Sequence, residues 1–510
     1  MNPDASEQSP ESAGQGPAGT ERTQVLVVGA GPVGLAAACR LWQYGVPARV
    51  VEAADQAHQG SRAVQLHPPT LDIFRELGVL DEAEKHGLRI RANYFHLEGG
   101  RTLRIELGSD NEPLMLPQEI TCRILEERLE QLGGRVERRT QVTDVTAGAD
   151  LVTVEAEGPD GPLRIEAEWL IAADGVRSRV REQLGIDFPG SPVAVNFLLA
   201  EGQVSGDFSR DAVHYFLGRA GSVVFASMPG GRTRVSAGVA PGFPLTADSV
   251  QSLLDERGPG GLRITDLDMI NNFSSQERIA ARLRAGRVFL VGDAAHTHSP
   301  IGGQGLNLGL QDMHNLTWKL AGVIDGVYNP AILDSYQTER LRAAEQIVRT
   351  THQFLAVFTL GPVAARLRNA LWSACEATGL LRRWFVPLLA GWRVRYPDVL
   401  AEPSPAASRY TALRNRGLTA PGARPPRWVP VSPDPSPAGF RLLTLGPSDH
   451  GRVRRGASLA GRLPDLVSHR HLPRRQGGFL LLRPDGYVAA SGRAPEDLAQ
   501  VESLLTRLAR

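Results

Sequence analysis

Apolar and polar positions change rhythm several times along this chain. Residues 24–28 (QVLVV) are a short β-branched run, the glycine-rich GAGPVG follows, and an apolar stretch of helical period continues to Tyr44. Residues 47–52 (PARVVE) predict a second strand. Strand, glycine turn, helix and strand in this order form the β-α-β opening of a doubly wound sheet. The pattern then predicts a helix over 65–87, two strands around Gly99-Gly100 within 88–107, a helix after Pro117, strands at 135–145 and 151–156, and an apolar strand at 168–174 (EWLIAAD). Near Gly190 the texture changes. VAVNFLLA, AVHYFL, SVVFASM and TRVSAGV are short apolar runs broken by Gly and Pro across 192–240, which predicts an antiparallel sheet. A buried strand returns at 287–293, and helical period fills 305–325 and 331–395. Proline crowds 402–438, which reads as a linker, and a small α/β unit spans 439–510.

Composition narrows the function. The 510 residues carry 56 basic and 55 acidic side chains, a net charge of +1, which argues against a nucleic-acid binder. Lys85 and Lys319 are the only lysines; arginine supplies the rest of the basic charge. Three scattered cysteines, Cys39, Cys122 and Cys375, offer no CxxC and no Cys/His cluster, so no metal site is expected. Their scarcity fits a reducing cytoplasm. Residues 1–22 are polar and rich in Ser, Pro and Gly, without an apolar segment, and read as a disordered tail with order beginning near Thr23. No run of 18 apolar residues occurs, so no membrane span is predicted.

Gly29, Gly31 and Gly34 form G-x-G-x-x-G between a strand and a helix, and Glu52 ends the second strand. This is a dinucleotide fingerprint. The first glycine permits the tight turn, the second lets a pyrophosphate approach the backbone, and the third lets helix pack on strand. Glu52 would accept from ribose hydroxyls and would repel a 2′-phosphate, leaving FAD or NAD for this pocket. Asp174-Gly175, in ADGVRSRVR (173–181), and Gly292-Asp293 stand at strand ends, where doubly wound sheets bind ligands. After Asp293 a loop holding Gly302, Gly303, Gln304 and Gly305 opens a helix, whose N-terminus can stabilise negative charge on a reduced flavin.

These motifs, with PQ at Pro117-Gln118, DSYQTER (334–340), PGARPP (421–426) and LLLRPDGYVA (480–489), resemble the class A flavoprotein monooxygenases of the para-hydroxybenzoate hydroxylase fold, in their aromatic polyketide hydroxylase branch. The resemblance implies an α/β fold. A Rossmann-like FAD-binding domain (23–189 and 276–400) would carry an inserted mixed or antiparallel substrate sheet (190–275 with 88–118). A linker (401–438) and a thioredoxin-like C-terminal domain (439–510) would follow. It implies FAD as cofactor, NADPH or NADH and O₂ as co-substrates, and an aromatic polyketide-like phenol hydroxylated through a flavin C4a-hydroperoxide. In the same reading Gly29, Gly31, Gly34 and Glu52 bind the ADP half of FAD. Arg62 and Gln118 flank the flavin or its pyrophosphate. Asp174 and Gly175 serve FAD and NAD(P)H, and Asp293 holds the ribityl or pyrophosphate region. Gly303, Gly305, Leu306 and Asn307 border the pyrimidine end. The chain departs from the family pattern at Pro69, Cys122 and Leu341.

No covalent nucleophile is required. His296 reads as a structural histidine satisfying loop carbonyls. His298 is the candidate for substrate contact or proton relay, since an ordinary imidazole near 6.5 suits proton transfer. Pro300 would shape the cavity wall, Tyr215 could face substrate or solvent, and Arg62 could contact phosphate or nicotinamide. Cys39 and Cys375 read as packing, and Arg452, Arg454 and Arg455 as solvated loop. Baeyer–Villiger insertion or epoxidation on the same fold is the alternative chemistry. A halogenase would need an active-site lysine and a WxWxIP segment, and the segment is missing. The protein is expected to be a cytoplasmic monomer or homodimer.

Overall fold

The structure is a computed structural model describing residues 20–57, 63–97, 100–218, 221–358, 360, 362–396, 400, 415, 417–429, 439–448, 451–475 and 477–510. Arg62, most of the expected tail and most of the expected linker lie outside these residues.

The chain opens with β1 (Thr20–Val28), α1 (Pro32–Gln43) and β2 (Ala48–Val51). β1 starts ahead of the expected Thr23 because Thr20–Thr23 pair with Arg164–Ala167, too far along the chain for local pattern to show. Then come β3 (Gln65–Leu66), α2 (Pro68–Leu77), α3 (Leu80–His86), β4 (Leu88–Arg89), β5 (Ala92–Leu97), β6 (Arg101–Glu106), β7 (Leu114–Met115) and α4 (Gln118–Gln131). The single helix expected over 65–87 is two, because Gly78 adopts φ +75° and caps α2 in the left-handed region. β8 (Val136–Glu137), β9 (Gln141–Ala147), β10 (Val152–Gly158), β11 (Gly161–Ala172) and α5 (Arg179–Gln183) complete this part.

The next strands are β12 (Gly190–Ser205), β13 (Ala212–Gly218), β14 (Gly221–Ser227) and β15 (Thr233–Val239). α6 (Ala247–Arg257), β16 (Arg263–Ile279), β17 (Arg284–Ala285), β18 (Val288–Leu290) and β19 (His296–Thr297) follow. Helices α7 (Gly305–Ile324), α8 (Asp334–Phe358), α9 (Pro362–Ala377) and α10 (Val386–Leu389) come next. The helical run expected over 331–395 is therefore divided; a proline opens α9, and Gly379, at φ +70°, lies between α9 and α10. The C-terminal unit is β20 (Phe440–Leu445), α11 (Gly451–Arg462), β21 (Val467–Leu472), β22 (Gly478–Leu482), β23 (Val488–Gly492) and α12 (Leu498–Leu508).

The first sheet runs β17-β18-β11-β1-β2-β8, parallel from β18 to β8. α1 lies against it between α4 and α7, and Leu35 to Cys39 are buried completely. Three successive alanines let those neighbours approach, which is how a helix covered on several sides is built. Cys39 is core, as its position suggested; burial pushes its thiol up to about 12.

The second sheet runs β19-β16-β12-β15-β14-β13-β5-β6. It is mixed, since β13 and β5 pair in parallel. β16 was not expected, because its TDLDMINNFSSQER stretch shows no clean apolar alternation. α6 covers one face with Val250, Leu253 and Leu254. The other face carries Phe95, Tyr215 and Met228 toward Val64, Met115, Trp372 and Phe385. The C-terminal sheet runs β21-β20-β22-β23. Arg452–Arg455 are helical rather than loop, and the Arg452 guanidinium is buried, donating to the carbonyls of Leu445 and Arg493.

Candidate active site

Three glycines shape the first loop, and each is needed for a different reason. Gly29 sits at φ +102°, with its N–H on the Val51 carbonyl at 2.8 Å; a Cβ there would lie 2.5 Å from the Ala173 oxygen. A Cβ on Gly34 would collide with the Gly29 carbonyl. A Cβ on Gly31 would meet no atom within 4 Å. The protein therefore fills the space beside the first and third glycines and leaves the space beside the second for another molecule. Glu52 closes the loop from the side: Oε2 accepts from Ala30 N at 2.7 Å and Oε1 from Ala54 N at 3.0 Å. Each oxygen keeps a lone pair for a hydroxyl. This loop, with amide donors at the N-terminus of α1, fits a dinucleotide such as FAD.

The ADGVRSRVR segment does more structural work than its motif suggests. Asp174 Oδ2 accepts from Val180 N at 3.0 Å, and Ser178 Oγ accepts from Arg181 N at 3.0 Å, so both side chains cap α5. Asp174 Oδ1 is buried without a hydrogen-bond partner among the described residues, and burial raises this carboxyl above its ordinary value. Gly175, at φ +78°, turns the chain away from β11. Arg181, which the sequence reading did not single out, donates to the carbonyls of Ala294 at 3.0 Å and Val176 at 2.9 Å. Its guanidinium lies 4.0 Å from the Phe188 ring centroid. Its place as the third arginine, alternating with Arg177 and Arg179, was the available signal.

Asp293 is exposed on a single helical turn, Gly292–Ala294, at the end of β18. Beneath it Asp312 Oδ2 accepts from Gly292 N at 3.0 Å and lies 2.7 Å from His296 Nε2. His296 is buried, and its ring meets a carboxylate, not the loop carbonyls that the sequence suggested.

The glycine-rich loop is fastened from below. The Asn307 side chain, buried, accepts from His67 N at 2.7 Å and donates to the carbonyls of Gln65 at 2.8 Å and Gly303 at 2.7 Å. Its amide is committed to the backbone, so what this turn offers a ligand is the N–H groups in the first turn of α7, at Gly305 and Leu306. Gly303 adopts φ +61°, and its N–H reaches the Pro300 carbonyl at 3.1 Å. Gln118 Oε1 accepts from Ala63 N at 3.3 Å and anchors the segment entering β3. Arg62 cannot be placed, being outside the described residues.

His298 Nδ1 is 2.8 Å from the Ser299 carbonyl, and its own carbonyl accepts from Ser275 Oγ of β16 at 2.9 Å. Facing a carbonyl, Nδ1 carries the proton, which leaves Nε2 a bare lone pair. Nε2 is buried without a partner among the described residues, 3.5 Å from where a Gly305 Cβ would stand. His67, missed by the sequence reading, repeats the arrangement: Nε2 meets the Gly302 carbonyl at 2.8 Å and Nδ1 has no partner among the described residues. Burial pulls both imidazoles down to about 4, so the ordinary value near 6.5 expected for His298 does not hold.

A pH dependence results. In the unfolded chain both imidazoles take a proton near 6.5; in the folded protein neither does until about 4. Stability is complete above the unfolded value and falls as pH drops toward the folded one. Between pH 7 and 4.5 each histidine should remove about 2 kcal/mol. Denaturation midpoints across that range are expected to fall less steeply in His298→Gln than in the parent; equal slopes would contradict the assignment.

Tyr215 points inward. It stacks on Phe95 with ring centroids 4.7 Å apart and lies 5.8 Å from Phe358, while Trp372 meets Phe95 edge-on at 5.1 Å. Burial pushes the Tyr215 hydroxyl up to about 12. Val386 of α10 closes this aromatic cluster, and Gln304 of the glycine-rich loop donates to the Leu389 carbonyl at 3.0 Å. The sheet face and the loop therefore share one wall. Neither lysine is free: Lys85 pairs with Glu82 at 2.7 Å on the surface and Lys319 with Glu339 at 2.8 Å in the core. Among the described residues no group of His, Cys, Asp and Glu could hold a metal ion, and no helix is long and apolar enough to cross a membrane.

Comparison with known proteins agrees with this geometry. The family described as FAD binding domain matches residues 22–351. 6-Methylpretetramide 4-monooxygenase of Streptomyces rimosus is 32% identical, the match covering 92% of this chain and 91% of the relative. A 12-dehydrotetracycline 5-monooxygenase/anhydrotetracycline 6-monooxygenase of the same species is 32% identical over 93% of this chain and 96% of its own. Among solved structures, OxyS anhydrotetracycline hydroxylase from Streptomyces rimosus superposes with a TM-score of 0.73 at 28% identity, covering 96% of this chain and 99% of that one. The chain belongs to the FAD binding domain family and is an FAD-dependent monooxygenase, with NAD(P)H and O₂ as co-substrates.

Proposed function

We propose that this enzyme hydroxylates a phenolic ring of an aromatic polyketide-like substrate in a secondary-metabolite pathway, acting in the cytoplasm as a monomer or homodimer. The substrate class follows the names of the full-length relatives. The observation that carries the chemistry is the unpartnered His298 Nε2 beside Gly305, on a residue tied to the second sheet through Ser275.

The flavin, when bound, supplies electron acceptance from NAD(P)H and activation of O₂. The chain's own residues do the rest. The Gly29–Gly34 loop and Glu52 would hold the adenosine and pyrophosphate, with Gln118 beside them. Asp293 accepts from the ribityl hydroxyls, and Asp174-Gly175 borders FAD and the nicotinamide. The helix start at Gly303–Asn307 stabilises charge on the ring. Tyr215 and its aromatic neighbours wall the substrate, Pro300 shapes the edge nearest the flavin, and water is kept out by their contacts. Neutral His298 Nε2 accepts a hydrogen bond from the phenol hydroxyl, which orients the ring and raises electron density on the carbon to be oxidised.

The test is NAD(P)H oxidation under ¹⁸O₂ with tetracyclic and related aromatic polyketide intermediates, with the product mass as readout. One labelled oxygen on an aromatic carbon is expected. A labelled lactone or epoxide, or a product without label, would overturn the reading.

A further inference from the structure

The C-terminal unit meets the helices beneath the Asp293 turn through ion pairs that are wholly buried. Arg483, at the end of β22, holds both oxygens of Glu339 of α8, at 2.6 and 2.8 Å, and both oxygens of Asp485, at 3.0 and 2.6 Å. Lys319 and Asn315 of α7 reach the same Glu339 oxygen at 2.8 and 2.7 Å, and Asn315 also reaches Asp485 at 3.2 Å. None of these charged groups is more than 3% exposed in its side chain. Burial would raise the Glu339 carboxyl, yet Arg483 and Lys319 hold it down to about 2.

A second buried set begins one residue along α8. Arg340 donates from Nε to Asp312 Oδ1 at 2.6 Å, from Nη1 to the Tyr396 hydroxyl at 2.9 Å and from Nη2 to the Leu308 carbonyl at 3.0 Å. Tyr396 stacks on Tyr487 of the C-terminal unit at 4.0 Å, and the Arg483 guanidinium stands 5.1 Å from the same Tyr396 ring. Asp312 then receives Gly292 N and His296 Nε2, one on each side of Asp293. Asp312, Asn315 and Lys319 recur at three- and four-residue spacing, so one face of α7 serves both sets.

We propose that the C-terminal unit is a clasp for the cofactor site, in which Arg483 and Asp485, through Glu339, Arg340 and Asp312, fix the turn that carries Asp293. Arg483 is a positioning residue; it touches neither cofactor nor substrate. The inference rests on the reading that Asp293 contacts FAD, and it gives the C-terminal unit a role in cofactor retention beyond packing or subunit contact.

The test uses the full-length holoenzyme. Arg483→Met/Asp485→Asn removes one positive and one negative charge and leaves the Lys319–Glu339 pair balanced. This variant is expected to melt cooperatively, to bind FAD about tenfold more weakly, a loss of about 1.4 kcal/mol, and to show an altered visible circular dichroism of the bound flavin. A purely structural role would move the melting temperature without moving the flavin spectrum in folded protein. A folded variant with parental FAD affinity and spectrum overturns the clasp. Should the double variant not fold, Arg483→Lys decides: it keeps the charge but cannot span both carboxylates. Weakened FAD binding there supports the clasp, and parental binding overturns it. Asp293→Ala separates the two readings. Unchanged FAD affinity in that variant removes the assignment of the turn, whereas a loss there with none in the Arg483 variants removes only the clasp.

Discussion

Gly31→Val is expected to keep the fold of the apoprotein and lose most of its FAD affinity. A side chain at Gly31 enters space that no protein atom occupies within 4 Å, so the folded chain has no reason to move. Gly31 also has φ −69°, an ordinary conformation for a valine. The same side chain would stand where the pyrophosphate must come down on the amides of α1. Overpacking a close contact typically costs about 1–3 kcal/mol, which is about 10–100-fold in affinity. The comparison with Gly34→Ala makes the test specific. There the added carbon strikes the Gly29 carbonyl, and FAD affinity and thermal stability should fall together. Fluorescence titration with FAD beside a circular dichroism melt of each apoprotein separates the cases. A Gly31→Val protein that binds FAD as tightly as the parent would place the dinucleotide elsewhere.

That loop was legible because its physics is local. Glycine spacing, the strand before it and the helix after it all fall within a few turns of chain, and Glu52 comes at the end of the next strand. The capping of α5 by Asp174 and Ser178 is local as well, although the motif invites a purely functional reading. What stayed hidden depends on residues far apart in sequence. β5 joins β13 in parallel across more than a hundred residues, and β16 carries too polar a pattern to announce itself, being held by its long pairing with β12. The aromatic wall is assembled from Phe95, Tyr215, Trp372 and Phe385, none of which shares a periodicity with another. The direction of Tyr215 could be settled only once Phe95 was beside it. Arg452 read as solvent-facing because its charge was visible and the two carbonyls that bury it were not. The displaced value of His298 has the same origin: an imidazole titrates according to the atoms around it, and the start of α7 at Gly305 is among those that bury this one.

Asp312→Ala should be the most destabilising single substitution in the cofactor half of the molecule. Its carboxylate is fully buried and balances Arg340, itself fully buried, while also meeting His296 and Gly292 N. Burial alone would raise this carboxyl, but His296 and Arg340 keep it below its ordinary value and so ionised. Alanine leaves the guanidinium without a counter-charge and Gly292 N without an acceptor. Removing one partner of a buried pair costs about 3–5 kcal/mol, a large part of the ~5–15 kcal/mol that holds a typical domain together. Asp312→Asn keeps the shape and one acceptor and should cost less, though it still lacks the charge that Arg340 requires. Asp312→Leu/Arg340→Met removes both charges together and should recover much of the stability in chemical denaturation, because an apolar pair of similar volume replaces a buried ionic one without penalty. FAD affinity should not recover with it, since neither apolar side chain can receive Gly292 N or hold His296 beside the Asp293 turn. Recovery of stability and affinity together would mean that Asp312 contributes only charge balance to the core. Recovery of stability alone would separate the two tasks of this carboxylate, neutralising Arg340 and holding the turn in place.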